Sequence, residues 1–206
     1  NGKSENHKSH AAISVVTAGN NLTLAAGRDV NSQAAGIAAE NNVAVQAGRD
    51  VNLLAEAATD GDSYRAKKKT FINESVRQQG TDITAGGNVT VVAGRDVTAQ
   101  ATDVYASGDA AVVAGRDIML TTASESDYHY KEEIKTKKSF LKKKTTHTIH
   151  EENHTREKAT QLSGESVVLS AGNDLTVQGS SVAAERNVAL KAGNNVTVEA
   201  ATNTDT

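Results

Sequence analysis

Ala26-Gly27-Arg28-Asp29-Val30 returns 21 residues later as Ala47-Gly48-Arg49-Asp50-Val51. It comes back at Ala93-Gly94-Arg95-Asp96-Val97 and, 21 residues on, at Ala114-Gly115-Arg116-Asp117-Ile118. Looser copies centre on Gly19, Gly86, Gly172 and Gly193, and degenerate ones on Glu40, Ser107, Gly164 and Glu185. From Gly19, from Gly86 and from Gly164 the intervals run 8, 13, 8, so a 21-residue unit is present twice in each of three blocks. A period of that length marks a solenoid, in which each unit is one turn of a stack.

Each corner is followed by a short alternating run, such as Leu22-Thr23-Leu24 or Val89-Thr90-Val91. Period-two alternation means a strand with one buried face. The 8-residue leg leads to a second strand starting at Val30 or Val97, and the 13-residue leg adds a third around Ile37, Val104 or Val182. Gly and Asn at the corners tolerate positive φ, which sharp turns often require. Three short strands in one unit bury too little alone, so each must pair in parallel with its equivalent one turn on. The sequence therefore predicts an all-β fold, a right-handed parallel β-helix of 21-residue coils. The predicted stacked pairs are Leu22 on Val43, Leu24 on Val45, Val30 on Val51, Val91 on Val112, Val97 on Ile118 and Leu169 on Leu190. Asn31 falls over Asn52, where stacked amides form a ladder. Arg28 falls over Arg49 and Asp29 over Asp50, so each Arg is expected to lean onto a neighbouring Asp. Gly27, Gly48, Gly94, Gly115, Gly172 and Gly193, with Asp29, Asp50, Asp96 and Asp117, are read as structural corners.

Composition agrees with a narrow interior. Only 3% of the 206 residues are aromatic, and Pro, Trp and Cys are absent. Without Cys there is no disulfide, thiolate metal site or Cys nucleophile. A net charge of −3 argues against nucleic acid as a partner. No apolar run reaches the ~20 residues of a membrane-spanning helix. Asn1 opens a polar stretch in place of an apolar leader, so the sequence reads as an internal piece of a longer chain.

The rhythm breaks twice, with 25 extra residues between Gly48 and Gly86 and 36 between Gly115 and Gly164. One continuous β-helix over 1–206 is expected, with repeat blocks at about 13–52, 83–119 and 161–198 and insertions at about 53–82 and 120–160. Residues 1–12 and 199–206 look like parts of further insertions. Five of the six aromatics are in the insertions. Tyr128-His129-Tyr130 and Thr146-His147-Thr148-Ile149-His150 alternate on either side of a Lys-rich run, which predicts a long hairpin with a basic tip at Ser139–Lys143. A shorter version surrounds Tyr64 and Phe71. Such hairpins project as ribs, and neighbouring ribs are placed to pair.

The stretch Lys135–Lys144 holds six Lys and no acid. Lys on lipid or lipopolysaccharide phosphates, with aromatics at the interface, makes Tyr64, Phe71, Tyr128, Tyr130, Lys138, Phe140, Lys142, Lys143 and Lys144 the candidate contact residues. The plainer reading is a solvated tip whose Lys residues deter edge aggregation. His129, His147, His150 and His154 invite comparison with a zinc site, but strand alternation sends His147 and His150 to opposite faces, so no metal is expected. The Gly-Arg-Asp corners lack the following helix of a phosphate loop and the nine-residue spacing of calcium repeats. No carboxylate pair or Ser-His-Asp spacing stands out, so no catalytic residue, no cofactor and no enzyme activity are expected.

The Ala-Gly-Arg-Asp-Val corners occur with Lys137-Lys138-Ser139-Phe140, Lys144-Thr145-Thr146-His147-Thr148 and Leu162-Ser163-Gly164. Together they resemble the haemagglutinin repeat of large Gram-negative exoproteins exported by two-partner secretion. These include the filamentous haemagglutinins and the CdiA-type contact-dependent growth inhibition effectors. The insertion pattern looks like the second repeat region of the effectors, and the resemblance covers essentially the whole chain. The first insertion departs from it, with a shorter basic run and no Thr-His-Thr element. The resemblance implies an elongated β-helix, secreted or at the cell surface. Its implied partners are the rest of the same exoprotein, the outer-membrane transporter that exports it, and target-cell outer-membrane lipid or lipopolysaccharide, engaged during toxin delivery. The alternative is a rod segment of a filamentous-haemagglutinin-type adhesin that binds host glycans or proteins. A β-helical polysaccharide lyase or hydrolase needs acids or Arg clustered on one strand face, and the sequence places none there.

Overall fold

A computed structural model describes residues 2–206. The chain opens with β1 (Lys3–Lys8), β2 (Ser14–Ala18), β3 (Leu22–Ala26), β4 (Val30–Gln33), β5 (Ala35–Ala39), β6 (Val43–Ala47) and β7 (Val51–Leu54). A hairpin follows, β8 (Glu56–Ala66) and β9 (Lys69–Gln79). Next come β10 (Asp82–Ala85), β11 (Val89–Ala93), β12 (Val97–Gln100), β13 (Asp103–Ala106), β14 (Ala110–Ala114) and β15 (Ile118–Thr121). A longer hairpin, β16 (Ala123–Lys138) and β17 (Lys143–Lys158), leads to β18 (Gln161–Ala171), β19 (Leu175–Gln178), β20 (Ser181–Ala192), β21 (Val196–Glu199) and β22 (Thr204–Asp205). No described residue is helical.

The strands wind into a parallel β-helix. One wall runs β4-β7-β12-β15-β19-β21, six rungs deep. The other two walls join into a ten-stranded sheet because β18 pairs with both β13 and β14. The six stacked pairs expected from the 21-residue period are all present. The interior is a column of Val, Leu, Ile and Ala, with Val45, Ile83, Val167 and Leu169 fully buried. Each Val, Leu or Ile so buried contributes roughly 1.5–3 kcal/mol, and the stack repeats that gain at every rung.

The corners are held between coils. Asp29 accepts hydrogen bonds from Arg49 Nε (2.8 Å) and Nη2 (2.5 Å), both from the coil above. Arg95 binds Asp50 and Arg116 binds Asp96 in the same two-pronged way. Each Asp also accepts the backbone N–H of the next Asp, at 3.2–3.3 Å. The leaning of Arg onto Asp is therefore a staircase that climbs one coil per step. The Asn52 amide donates to Asn31 Oδ1 at 2.8 Å, completing the expected amide ladder.

Two expectations need correction. The corner glycines do not adopt positive φ, which occurs instead at Ala34 (49°), Ala101 (47°) and Gly179 (52°). Glycine is needed for close approach: a Cβ on Gly48, Gly94, Gly115, Gly172 or Gly193 would overlap the carbonyl oxygen of the glycine one coil below, well inside 3.0 Å. Gly27, in the first coil, has nothing within 4 Å. Secondly, the corners at Gly164 and Glu185 are not separate turns between strands. They lie inside the continuous strands β18 and β20, where a bulge between Gly164 and Ser166 bends the chain without a separate turn.

At the third corner, compact coils alternate with coils that release a hairpin. Ala34 and Ala101 make the compact turn, and their N–H groups donate to Leu54 O (3.1 Å) and Thr121 O (3.2 Å), next to where the chain departs. Thr81, Thr102 and Thr160 are fully buried here. Their hydroxyls donate to Leu54 O (3.3 Å), Leu53 O (3.1 Å) and Thr121 O (2.8 Å), which satisfies carbonyls beside the interrupted coil.

The hairpins pair with each other in a second, antiparallel sheet, β1-β8-β9-β16-β17-β22. Within β8, β9, β16 and β17 only Gly61 and Ala123 are buried, so this rib sheet is a single layer wet on both faces. Strands in either sheet advance ~4.8 Å each. One hairpin adds two strands for every two coils, so both sheets grow at the same rate. This match explains why the insertions come in alternate coils.

Candidate functional site

Register decides which candidate residues share a surface. Directly paired residues lie on one face of a sheet, and adjacent rows alternate. Tyr64 pairs with Phe71, which pairs with Lys131, which pairs with His150. Phe71 meets the ring of His129 edge-on at 5.3 Å, and His129 meets His150 at 6.2 Å. Tyr128 pairs with Glu74 and Tyr130 with Ile72, so both tyrosines project from the opposite face. Their hydroxyls donate to Glu151 Oε1 (3.1 Å) and Glu132 Oε2 (3.4 Å). Burial and these carboxylates push both phenols above their usual value. The four rib aromatics therefore form two pairs on opposite faces and cannot lie together against one flat surface.

The tip is different. Lys138 pairs with Lys143 and Lys137 with Lys144, closing the hairpin around Ser139–Lys142. Ser139 N–H donates to Lys142 O at 2.7 Å, and the turn holds Phe140 and Leu141 outward. Phe140 is 100% exposed and Leu141 86% exposed. The structure thus brings Lys138, Phe140, Lys142, Lys143 and Lys144 together and separates them from Tyr64, Phe71, Tyr128 and Tyr130. Leu141 was missed in the sequence reading. The signal was there: it is the second member of an apolar pair, with Lys137 and Lys138 shortly before it and Lys142, Lys143 and Lys144 directly after.

Nearer the solenoid the ribs are laced by ion pairs: Lys8–Asp60 (2.6 Å), Arg77–Asp127 (2.5 Å) and Arg156–Glu125 (2.9 Å). His154 contacts Asp205 at 2.8 Å, and that hydrogen bond raises its pKa above the ordinary 6.5. His147 meets Glu132 on one face and His150 meets Glu152 on the other. Among the described residues no group of three or more His, Cys, Asp or Glu is placed to hold a metal ion. A shallow cleft of about 280 Å³ lies at the β18 bulge, lined by Tyr105, Ser163, Glu165 and Glu185, and Glu165 is engaged there by Arg186 at 3.0 Å.

The family profile described as hemagglutinin repeat matches residues 1–70, 62–141 and 138–206. The chain belongs to the hemagglutinin-repeat family. This repeat chain is 64% identical over 175 residues to the "16S rRNA endonuclease CdiA" of Enterobacter cloacae subsp. cloacae, covering 85% of the chain and 5% of that protein. It is 62% identical over 206 residues to a "tRNA nuclease CdiA" of Escherichia coli O6:K15:H31, covering all of the chain and 6% of the relative. It is 42% identical over 172 residues to the "Deoxyribonuclease CdiA" of Dickeya dadantii, covering 84% of the chain and 5% of the relative. The chain thus spans about a twentieth of the length of these relatives. What it matches is their repeat region, which is structural, and not their nuclease domain. No solved structure matches. The hemagglutinin-repeat chain is a structural segment of a two-partner exoprotein, secreted or at the surface of a Gram-negative bacterium.

Proposed function

We propose that this segment is one continuous stretch of rod, with repeat blocks at 13–52, 83–119 and 161–198 and ribs at 53–82 and 120–160. Its rib tips engage the outer membrane of a target cell while the parent exoprotein delivers its toxin. The observation that carries the reading is the tip, where Phe140 and Leu141 stand in solvent between lysines. Apolar side chains ringed by Lys suit a surface of lipid or lipopolysaccharide phosphates over hydrocarbon. A second observation supports it: the relatives are named for different nucleases, yet share this segment at 42–64% identity. A step common to all of them accounts for that better than nuclease chemistry does. The proposed partners are the rest of the same exoprotein, the exporting outer-membrane transporter and target-cell outer-membrane lipid or lipopolysaccharide.

Flotation with liposomes, with and without anionic lipid and lipopolysaccharide, tests this. The protein is expected to float with anionic vesicles, and a variant carrying Lys142→Ser, Lys143→Ser, Lys144→Ser and Phe140→Ala is expected to stay behind. Absence of flotation under every condition contradicts the reading and turns the search to glycans, the ligands of the adhesin alternative.

A further inference from the structure

The ribs are electrically divided along their length. The row Tyr64–Phe71–Lys131–His150 crosses both hairpins and separates a distal from a proximal half. Residues 65–70 and 131–150 contain eleven Lys or Arg, half of the 22 in the whole chain, and two acids, Glu132 and Glu133. The proximal strand segments 56–64, 71–79, 123–130 and 151–158 contain nine acids and three Lys or Arg. The shorter hairpin reinforces the distal charge: Lys68 O accepts the Ile134 N–H at 2.8 Å, which sets Lys67–Lys69 beside the longer rib. Exposed apolar side chains follow the same polarity, with Phe140 and Leu141 at the extreme end.

We infer that the ribs meet an anionic bilayer end-on, as posts, and that the proximal acidic band stops them from lying down on it. This rests on the membrane reading above. A rib lying flat would bring six acids toward lipid phosphates on the Tyr64–Phe71 face, or three on the Tyr128–Tyr130 face, and present only one of its two aromatic pairs. End-on contact satisfies the tip lysines and seats Phe140 and Leu141, and it keeps the acids away from the surface. From Leu141 to His150 is nine residues, so at ~3.4 Å per residue the acidic band begins ~30 Å from the tip. That exceeds the Debye length of ~8 Å at physiological salt, so the band does not weaken tip binding. The solenoid is held further off, clear of the bilayer.

The chain has no Cys, so single-Cys variants report one position each. An environment-sensitive fluorophore is placed at Leu141→Cys or at Ser124→Cys, an exposed site at the rib base. The probe is phosphatidylcholine vesicles with and without phosphatidylglycerol, with aqueous iodide as quencher. On anionic vesicles the label at 141 becomes shielded and the label at 124 stays quenchable. In a background of Glu56→Gln, Asp60→Asn, Asp62→Asn, Glu74→Gln, Glu151→Gln and Glu152→Gln, which leaves three acids against three Lys or Arg in the band, the rib lies down, and the label at 124 becomes shielded too. Lys142→Ser with Lys143→Ser and Lys144→Ser weakens vesicle binding on the order of 100-fold. Vesicle binding with both labels equally shielded overturns the post geometry and leaves the membrane reading standing. An unchanged pattern in the neutralised background removes the role given to the acids. Absence of vesicle binding defeats both. Displacement by inorganic phosphate identifies a simple anion site and overturns the bilayer as partner.

Discussion

The solenoid and the rib sheet share one strand spacing and differ in side-chain chemistry. The solenoid holds every buried large aliphatic, and the two hairpins hold 14 of the 22 Lys and Arg and four of the six His. The solenoid's sheets close around a dry column; the rib sheet is open to water on both faces. The solenoid supplies folding free energy through burial, and the ribs take their order from it, anchored at both ends of each hairpin. A chain built this way can change its rib surface with little effect on whether it folds. The link between the two regions is the shared advance of two strands per two coils.

The largest expected contrast is in truncation. Leu169→Ala removes a fully buried side chain from the column and should cost ~2–5 kcal/mol. Ile149→Ala, at a rib residue 55% exposed, should change stability by no more than about 0.5 kcal/mol. Urea unfolding of the two variants measures the difference, and similar losses would erase the distinction.

Close approach at the corners comes next. Gly115→Ala drives a Cβ into Gly94 O and should cost ~1–3 kcal/mol, because backbone on both sides must give. Gly27→Ala has open space and should be nearly neutral. If both were equally harmful, turn conformation and not stacking would be the reason for glycine.

The smallest effects are those of pH, and they separate the regions by sign. The Arg49 guanidinium holds Asp29 at about 2, below its ordinary 3.8, and Arg95 and Arg116 lower Asp50 and Asp96. A depressed carboxyl stabilises the fold above its unfolded value and loses that contribution as pH falls through the folded one. The melting temperature should therefore drop between about pH 4 and pH 2 as the staircase is protonated. His154 is raised above 6.5 by Asp205, so its contribution is present below pH 6.5 and fades as pH rises through the folded value. Only the β17–β22 contact should loosen there, visible as faster amide exchange at Thr155 and Thr204.

Most of the solenoid was legible because its period is rigid. Once Gly27 and Gly48 are 21 apart, Val30 must sit on Val51 and Arg49 beside Asp29. The hairpin with a turn near Ser139 was legible from alternation on both sides of the Lys run. What was hidden depends on the neighbouring coil or rib. The reason for glycine at Gly115 is the carbonyl of Gly94, which no local turn rule contains. The bulge at Gly164 follows from pairing β18 to two strands at once. The split of the aromatics depends on the offset between β9 and β16, which alternation within either strand does not set. Thr81 and Thr102 stand 21 apart and fit the period, yet only the buried carbonyls of Leu54 and Leu53 show why a hydroxyl belongs there.

Residue-resolved hydrogen–deuterium exchange on the intact chain tests the central claim most directly. The account predicts the slowest amides in β6, β11, β14 and β18, exchanging only on global unfolding, with rib amides orders of magnitude faster and those of Ile134–His147 fastest. Equal protection in the ribs and the solenoid would contradict it, because the ribs would then carry stability of their own.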